Sequence, residues 1–304
     1  MSCPGANLFQ EVPIGMDNFL EFLKAVLQGV VQGITEWLPI SSTGHLLLID
    51  ELVHMTVSSD PVRNEAFFNL FKVLIQFGSI LAVIVLYFHK LNPLSPKKSV
   101  SQKRDTWRLW GKVLVASIPA GVVGILFDDI IDGALSQWFV IAAALAVYGV
   151  LFIVVENRNR TPRINDFEQM DYRTVLLIGV FQMLALIPGT SRSGATIVGA
   201  VMLGCSRYVA AEFSFFMAIP AMLGGSAIKL LKFILEQESG FGFTGLEWTV
   251  LLTGMIVAFV VSLLVIKFLM NYIKKHDFKV FGYYRIILAV VVVAYFLTTR
   301  YILA

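Results

Sequence analysis

The chain has 304 residues, 57% of them hydrophobic and 15% charged, with a mean hydropathy of +0.76; a soluble domain carries about 25% charged and about 45–50% apolar residues. That balance excludes an ordinary soluble domain and makes the chain an integral membrane protein. The formal net charge is only +3, with the basic residues gathered in a few loops and not on one face, which argues against nucleic acid as a partner.

Met1 to Gly15 lacks a basic segment leading into an apolar core with a small-residue cleavage site, so no removable signal peptide is expected. Residues 20–53 follow as two apolar pieces broken by a Pro/Ser/Gly segment, a pattern that fits a pair of half-helices. Three windows of the length needed to cross a hydrocarbon core come next, at 67–88, 107–127 and 137–155. A second broken region spans 173–205, and three more windows lie at 212–235, 246–270 and 282–300. Backbone broken at membrane depth is tolerated only where protein or a water-filled cavity surrounds it. Cys3 and Cys205 are far apart in sequence and show no metal-binding spacing, so no disulfide and no thiolate site is expected.

Lys and Arg mark the cytoplasmic loops. Lys90, Lys97, Lys98, Lys103, Arg104 and Arg108 follow the first span, Arg158, Arg160, Arg163 and Arg173 the third, and Lys274, Lys275 and Lys279 the fifth. The intervening loops carry Asp128, Asp129 and Asp132, then Glu236, Glu238 and Glu247, and face outside. The alternation closes if 20–53 dips in from outside and 173–205 from the cytoplasm, with both termini outside. The expected architecture is all-α: one membrane domain over 1–304, with six transmembrane helices and two re-entrant helix hairpins. Its halves, 20–155 and 173–300, each hold one hairpin and three spans. Three being odd, the second half is inverted relative to the first. Gly29/Gly179, Val30/Val180, Gln32/Gln182, Ser41/Ser191 and Gly44/Gly194 match at one constant offset.

The chemistry sits in those breaks. In the first, Pro39 ends the incoming half-helix, and Ser42 or Thr43 is placed to cap the outgoing one. A helix N-terminus offers free N–H groups to a phosphate-like anion, and Gly189-Thr190-Ser191 offers a second set. Arg192 adds a planar donor fork suited to phosphate oxygens, and an intramembrane arginine marks a functional site. Gln32 and Glu36, four residues apart, share one helix face directed toward Ser42 and His45. A hydroxyl, an imidazole, a carboxylate and an arginine around an anion hole are the parts needed to attack a phosphoanhydride. For Ser41, Thr43 and Ser193, helix packing explains the residue type as well as catalysis does.

Gln32-x-x-x-Glu36, the Pro-x-Ser-Ser-Thr-Gly-His segment after it and Pro188-Gly-x-Ser-Arg-Ser-x-x-Thr196 resemble the signature regions of the BacA-type undecaprenyl pyrophosphate phosphatases. The resemblance covers nearly the whole chain; only about the first fifteen residues look like an extension. It implies an enzyme of the bacterial cytoplasmic membrane, conferring bacitracin resistance, that removes the terminal phosphate of undecaprenyl diphosphate for cell-wall assembly, with an outward-facing site. Glu36 and Gln32 correspond to the family's acidic pair, whose first place accepts Glu or Gln; a Gln cannot act as a base, so that role falls to Glu36.

The first choice of mechanism is Ser42 as nucleophile with His45 as proton carrier, through a phosphoseryl intermediate; His45 attacking directly is the runner-up, and a third has Glu36 holding a divalent cation that activates water. The resemblance implies divalent-cation dependence, and the few hard oxygen ligands fit a substrate-bridged Mg²⁺ or Ca²⁺. Gln32, Ser41, Thr43, Gly189, Thr190, Ser191, Ser193 and Thr196 are assigned to substrate binding. Expected partners are the polyprenyl diphosphate, membrane lipids and, optionally, a second copy of the chain. The alternative function is a transporter or flippase of a lipid-linked or small anionic substrate, because inverted repeats with broken helices are a transporter plan. His54, His89 and His276 receive no role, Pro119 and Pro220 are expected to kink their spans, Gly78-Ser79 and Gly224-Gly225-Ser226 to permit close helix crossings, and Trp37, Trp107, Trp110, Trp138 and Trp248 to anchor at the interface.

Overall fold

A computed structural model describes residues 14–127, 135, 137–158, 160–236 and 242–301. The acidic loop residues Asp128, Asp129, Asp132 and Glu238 and the N-terminal extension through residue 13 lie outside the described residues. Among the described residues the chain is all-helical, its one extended pairing being an isolated bridge between Ile164 and Cys205.

The principal helices are α1 (Ile14–Thr35), α2 (Ser42–Leu52), α3 (Pro61–Leu86), α4 (Val100–Leu126), α5 (Trp138–Asn157), α6 (Tyr172–Met183), α7 (Arg192–Met202), α8 (Arg207–Glu236), α9 (Gly245–Tyr272) and α10 (Lys279–Tyr301). Six of them, α3, α4, α5, α8, α9 and α10, are long and apolar enough to cross a membrane, matching the six expected windows. Several start five to seven residues early, because a polar first turn continues the helix beyond the apolar window. Asp60 caps α3 ahead of Pro61, and Ser99 with Gln102 forms a capping box on α4. These turns satisfy orphan N–H groups that hydropathy does not register.

The two broken regions each give a helix pair, α1 with α2 and α6 with α7. The arms differ: α1 runs 22 residues, longer than the half-helix expected, whereas α6 has 12 and is followed by a tight turn at Leu184–Leu186. The outgoing arms α2 and α7 are both 11 residues long and start 150 positions apart, at Ser42 and Arg192.

Helix packing carries the same offset. α1 packs on α9 while α6 packs on α4; α3 packs on α9 while α8 packs on α4; α2 touches α10 while α7 touches α5. Exchanging helix n for helix n+5 maps each of these contacts onto its partner, and the α3/α8 and α5/α10 contacts onto themselves, whereas α7 packs on α8 with no comparable α2/α3 packing. Close approach explains the matched glycines. A Cβ on Gly29 would sit 2.7 Å from the Gly254 carbonyl oxygen, and one on Gly179 would collide with the backbone of Ala116. Gly78 is pressed against Met255 as expected, but a Cβ on Gly224 or Gly225 would meet nothing within 4 Å. Those two glycines face open space and make no crossing. Pro119 and Pro220 lie inside α4 and α8, which continue through them.

The main core gathers Trp37, Val113, Ile178, Phe213, Phe215 and Phe216 around the inner faces of α4, α6, α7 and α8. The outward faces of the spans keep Leu, Ile, Val and Phe exposed, as lipid-facing surfaces do.

Candidate active site

Both breaks turn through the same backbone device. Ser41 has φ 75° and Ser191 φ 70°, the only non-glycine residues with positive φ among the described residues. Holding an L side chain there costs on the order of 1–3 kcal/mol. Each serine also caps the helix that follows: Ser41 Oγ accepts from Gly44 N, and Ser191 Oγ accepts from Gly194 N, at 3.3 and 3.2 Å. The N–H groups of residues 42 and 43, and of 192 and 193, then remain as the free first-turn donors of two helix N-termini.

A breaking backbone leaves carbonyls unsatisfied in a setting where each costs several kcal/mol. One side chain answers for both breaks. Arg285 of α10, fully buried, donates from Nη1 to Pro39 O at 3.2 Å and from Nη2 to Gly189 O and Thr190 O at 2.9 Å each. Its guanidinium also lies over the Tyr148 ring. The two loops are bonded directly as well, since Ser193 Oγ donates to the carbonyl of Glu36 at 3.3 Å. Gly189, at φ 92°, has no room for a Cβ, which would fall 2.5 Å from Ile141 O.

Glu36 is the centre of the polar cluster. Its side chain is buried; Oε1 accepts from Arg192 Nη2 at 3.0 Å, and Oε2 accepts from Gln32 Nε2 at 3.0 Å and Ser42 Oγ at 3.3 Å. Arg192 is steadied by Nη1 donating to Ser214 O at 2.9 Å. Ser214 Oγ in turn shares a 2.6 Å bond with Thr196 Oγ1. Beneath the pair, the buried Trp37 ring packs edge-on against Phe215 and carries the Arg192 guanidinium 5.8 Å from its centroid. Trp37 is thus the floor of the site and not an interface anchor. Trp107 and Trp248 are exposed, as anchors would be.

Four of the expected groups, Gln32, Glu36, Ser42 and Arg192, form one bonded constellation. His45 is not joined to it. Its Nδ1 bonds Ser41 O and its Nε2 bonds Tyr284 Oη, both at 2.7 Å, with the two rings stacked 5.6 Å apart. With Nδ1–H donated to a carbonyl, Nε2 accepts from the tyrosine. Thr43 is exposed at the mouth of the cluster, Ser41 and Ser191 are caps, and Thr190 and Thr196 are buried supports.

Arg285, Tyr284, Ser214 and the floor role of Trp37 escaped the sequence reading. Arg285 carried a legible signal, an arginine inside the 282–300 window followed by fourteen residues without a charge before Arg300 closes it. Ser214 and Tyr284 carried none, because a serine or tyrosine in a span is ordinary helix packing until its neighbours are known.

Among the described residues no three His, Cys, Asp or Glu side chains gather to hold a metal ion. The donor set allows a different arrangement. Gln32 Oε1 is buried with no hydrogen-bond partner, an open hard oxygen beside the Glu36 carboxylate. These residues fit a cation shared with an oxyanion ligand, and do not fit an all-protein cage.

Comparison with known proteins gives the family of the chain. Residues 25–291 match the family described as Bacitracin resistance protein BacA. The chain is 60% identical over 279 residues to undecaprenyl-diphosphatase 1 of Clostridioides difficile, covering 92% of this chain and 97% of that protein. Undecaprenyl-diphosphatases of Acetivibrio thermocellus and Enterococcus faecalis are 56% and 51% identical, each over 92% of this chain and 100% and 99% of theirs. A match of this length, with both motif loops inside it, makes the chain a multi-pass membrane protein of the BacA family.

Proposed function

We propose that the chain is an undecaprenyl-diphosphatase, releasing inorganic phosphate from undecaprenyl diphosphate and returning the monophosphate carrier. The observation that carries this reading is the Ser42–Glu36–Arg192 constellation, a hydroxyl, its proton acceptor and a cationic fork, set at two converging helix N-termini. Relatives 60% and 56% identical, each over 92% of this chain, bear that name.

The free N–H groups of the two helices and the Arg192 fork bind the terminal phosphate. Binding draws Arg192 from Glu36 toward the phosphate oxygens, leaving the carboxylate facing Ser42. Ser42 Oγ attacks the terminal phosphorus, its proton passes to Glu36, and the anhydride P–O bond breaks with the monophosphate as leaving group. Glu36 passes that proton to the departing monophosphate and is again a carboxylate; it then takes a proton from the water that attacks the phosphoserine and returns it to Ser42 Oγ as the Oγ–P bond breaks and inorganic phosphate leaves. General-base assistance of this kind contributes about 10²–10⁴-fold. The 3.3 Å Ser42–Glu36 bond favours Glu36 over His45 as the proton acceptor; the imidazole, held by Ser41 O and Tyr284, orients the first turn of α2. A bound Mg²⁺ or Ca²⁺, held by Glu36 and Gln32 Oε1 together with the diphosphate, would supply further charge neutralisation. The charge pattern of the loops supports placing the site toward the outer face of the bacterial cytoplasmic membrane, with both termini on that side.

The test is phosphate release from a polyprenyl diphosphate by the purified protein. Ser42→Ala, Glu36→Ala and Arg192→Ala each abolish it while the protein elutes as a folded species; a fully active Arg192→Ala variant contradicts the site. The n to n+5 exchange of helix contacts favours a second reading, a transporter or flippase, which predicts lipid movement across sealed vesicles without phosphate release.

A further inference from the structure

Away from the catalytic cluster, a cavity of about 560 Å³ opens where α5, α7 and α9 end and α8 begins. It stands at the far end of α7 from Arg192, ten residues or about 15 Å along the helix axis. Its floor is fixed: Gly204 turns with φ 100° and its carbonyl accepts from the backbone N–H groups of Arg163 and Ile164. Glu156, buried at the cavity's inner wall, is consumed structurally. Its carboxylate takes the Arg207 guanidinium in three hydrogen bonds and the backbone N–H of Phe278 in a fourth.

The lining therefore holds four cations, Arg158, Arg160, Arg207 and Lys274, against one carboxylate, a balance of 4 − 1 = +3. Arg207 is matched by Glu156. Arg158, Arg160 and Lys274 are exposed, and among the described residues none of the three reaches a carboxylate. Guanidinium forks that line a cavity without a carboxylate partner select a planar or tetrahedral oxyanion, phosphate above all. The rim adds apolar surface, with Met202 37% and Tyr208 40% exposed, beside helices long enough to cross a membrane. A free phosphate ion has no use for that rim; a phosphate with acyl chains attached does.

We infer that this cavity is a binding site for the phosphate headgroup of an anionic phospholipid from the leaflet at that end of the molecule, separate from the catalytic cluster. Basic pockets between the ends of transmembrane helices recognise lipid phosphates through this chemistry, each cation near the surface contributing about 1 kcal/mol.

The test is native mass spectrometry of the full-length protein released from detergent after incubation with phosphatidylglycerol or phosphatidylcholine. Wild type retains phosphatidylglycerol in preference. Arg158→Gln/Arg160→Gln/Lys274→Gln loses that preference, each removed cation weakening retention about fivefold. Arg207 is left intact because its pair with Glu156 holds the fold, and phosphatase activity in detergent stays at the wild-type level, reporting that the variant is folded. The control Lys97→Gln/Lys103→Gln/Arg104→Gln removes the same charge from another loop and leaves retention unchanged; an equal loss in both triple variants overturns the site in favour of diffuse attraction. Displacement of the lipid by millimolar inorganic phosphate overturns the lipid source and leaves a free-anion site.

Discussion

Arg285→Lys is the most informative substitution, because it keeps the charge and removes the fork. The guanidinium donates to Pro39 O, Gly189 O and Thr190 O, within 3.2 Å of each, and so holds the first motif loop against the second. A lysine ammonium, a compact point charge on a single stem, meets one of these three carbonyls. Two carbonyls then lose a charged donor, at about 1.5 kcal/mol or more for each bond, so the juxtaposed arrangement weakens by about 3 kcal/mol. Since 1.4 kcal/mol is a factor of ten, kcat falls on the order of 10²-fold. Phosphate release is measured per molecule in the monodisperse chromatographic peak, so that misfolded protein does not enter the rate. A purely structural role lowers the yield of folded protein and leaves kcat unchanged. Wild-type kcat and KM for Arg285→Lys would refute the view that this residue aligns the two loops.

Glu36→Gln preserves most of the hydrogen-bond geometry but removes the proton acceptor, so kcat drops about 10²–10⁴-fold in steady-state assays; a loss confined to KM points to a binding role instead. Tyr284→Phe removes one hydrogen bond to His45, worth about 1 kcal/mol, and lowers kcat/KM roughly fivefold. A rise in activity instead shows that the tyrosine holds the imidazole off a proton path. Gly189→Ala meets both a positive φ and the Ile141 carbonyl, and abolishes activity with loss of thermal stability. Gly224→Ala, in a helix and facing open space, raises the apparent unfolding temperature in detergent, gaining about 0.5–1 kcal/mol.

The six spans were legible because hydrocarbon thickness imposes a length and a composition that windows detect, and their errors fall at polar capping turns such as Asp60 and Ser99. The breaks were legible for a second reason: hydroxyls, Pro39 and Gly189 in apolar sequence have no use in an unbroken helix. The grouping of Gln32, Glu36, Ser42 and Arg192 also followed, since helical spacing and the duplicated register place them together. Side-chain direction did not follow. His45 lies three residues from Ser42 on one helix, a spacing that permits contact, yet its ring turns to Ser41 O and to Tyr284, a residue 239 positions away. The same limit hid Ser214 behind Arg192 and left Trp37 looking like an anchor, because a tertiary neighbour decides which face of a side chain is buried.

Trapping the covalent intermediate tests the assignment of Ser42 and Glu36 most directly. Wild-type protein is quenched in acid during turnover of a polyprenyl diphosphate labelled in its terminal phosphate, and the modified residue is located by peptide mass spectrometry. The expected result is label on Ser42, absent from Ser42→Ala and slowed in formation in Glu36→Gln. Label on His45, with Ser42→Ala still modified, would contradict it.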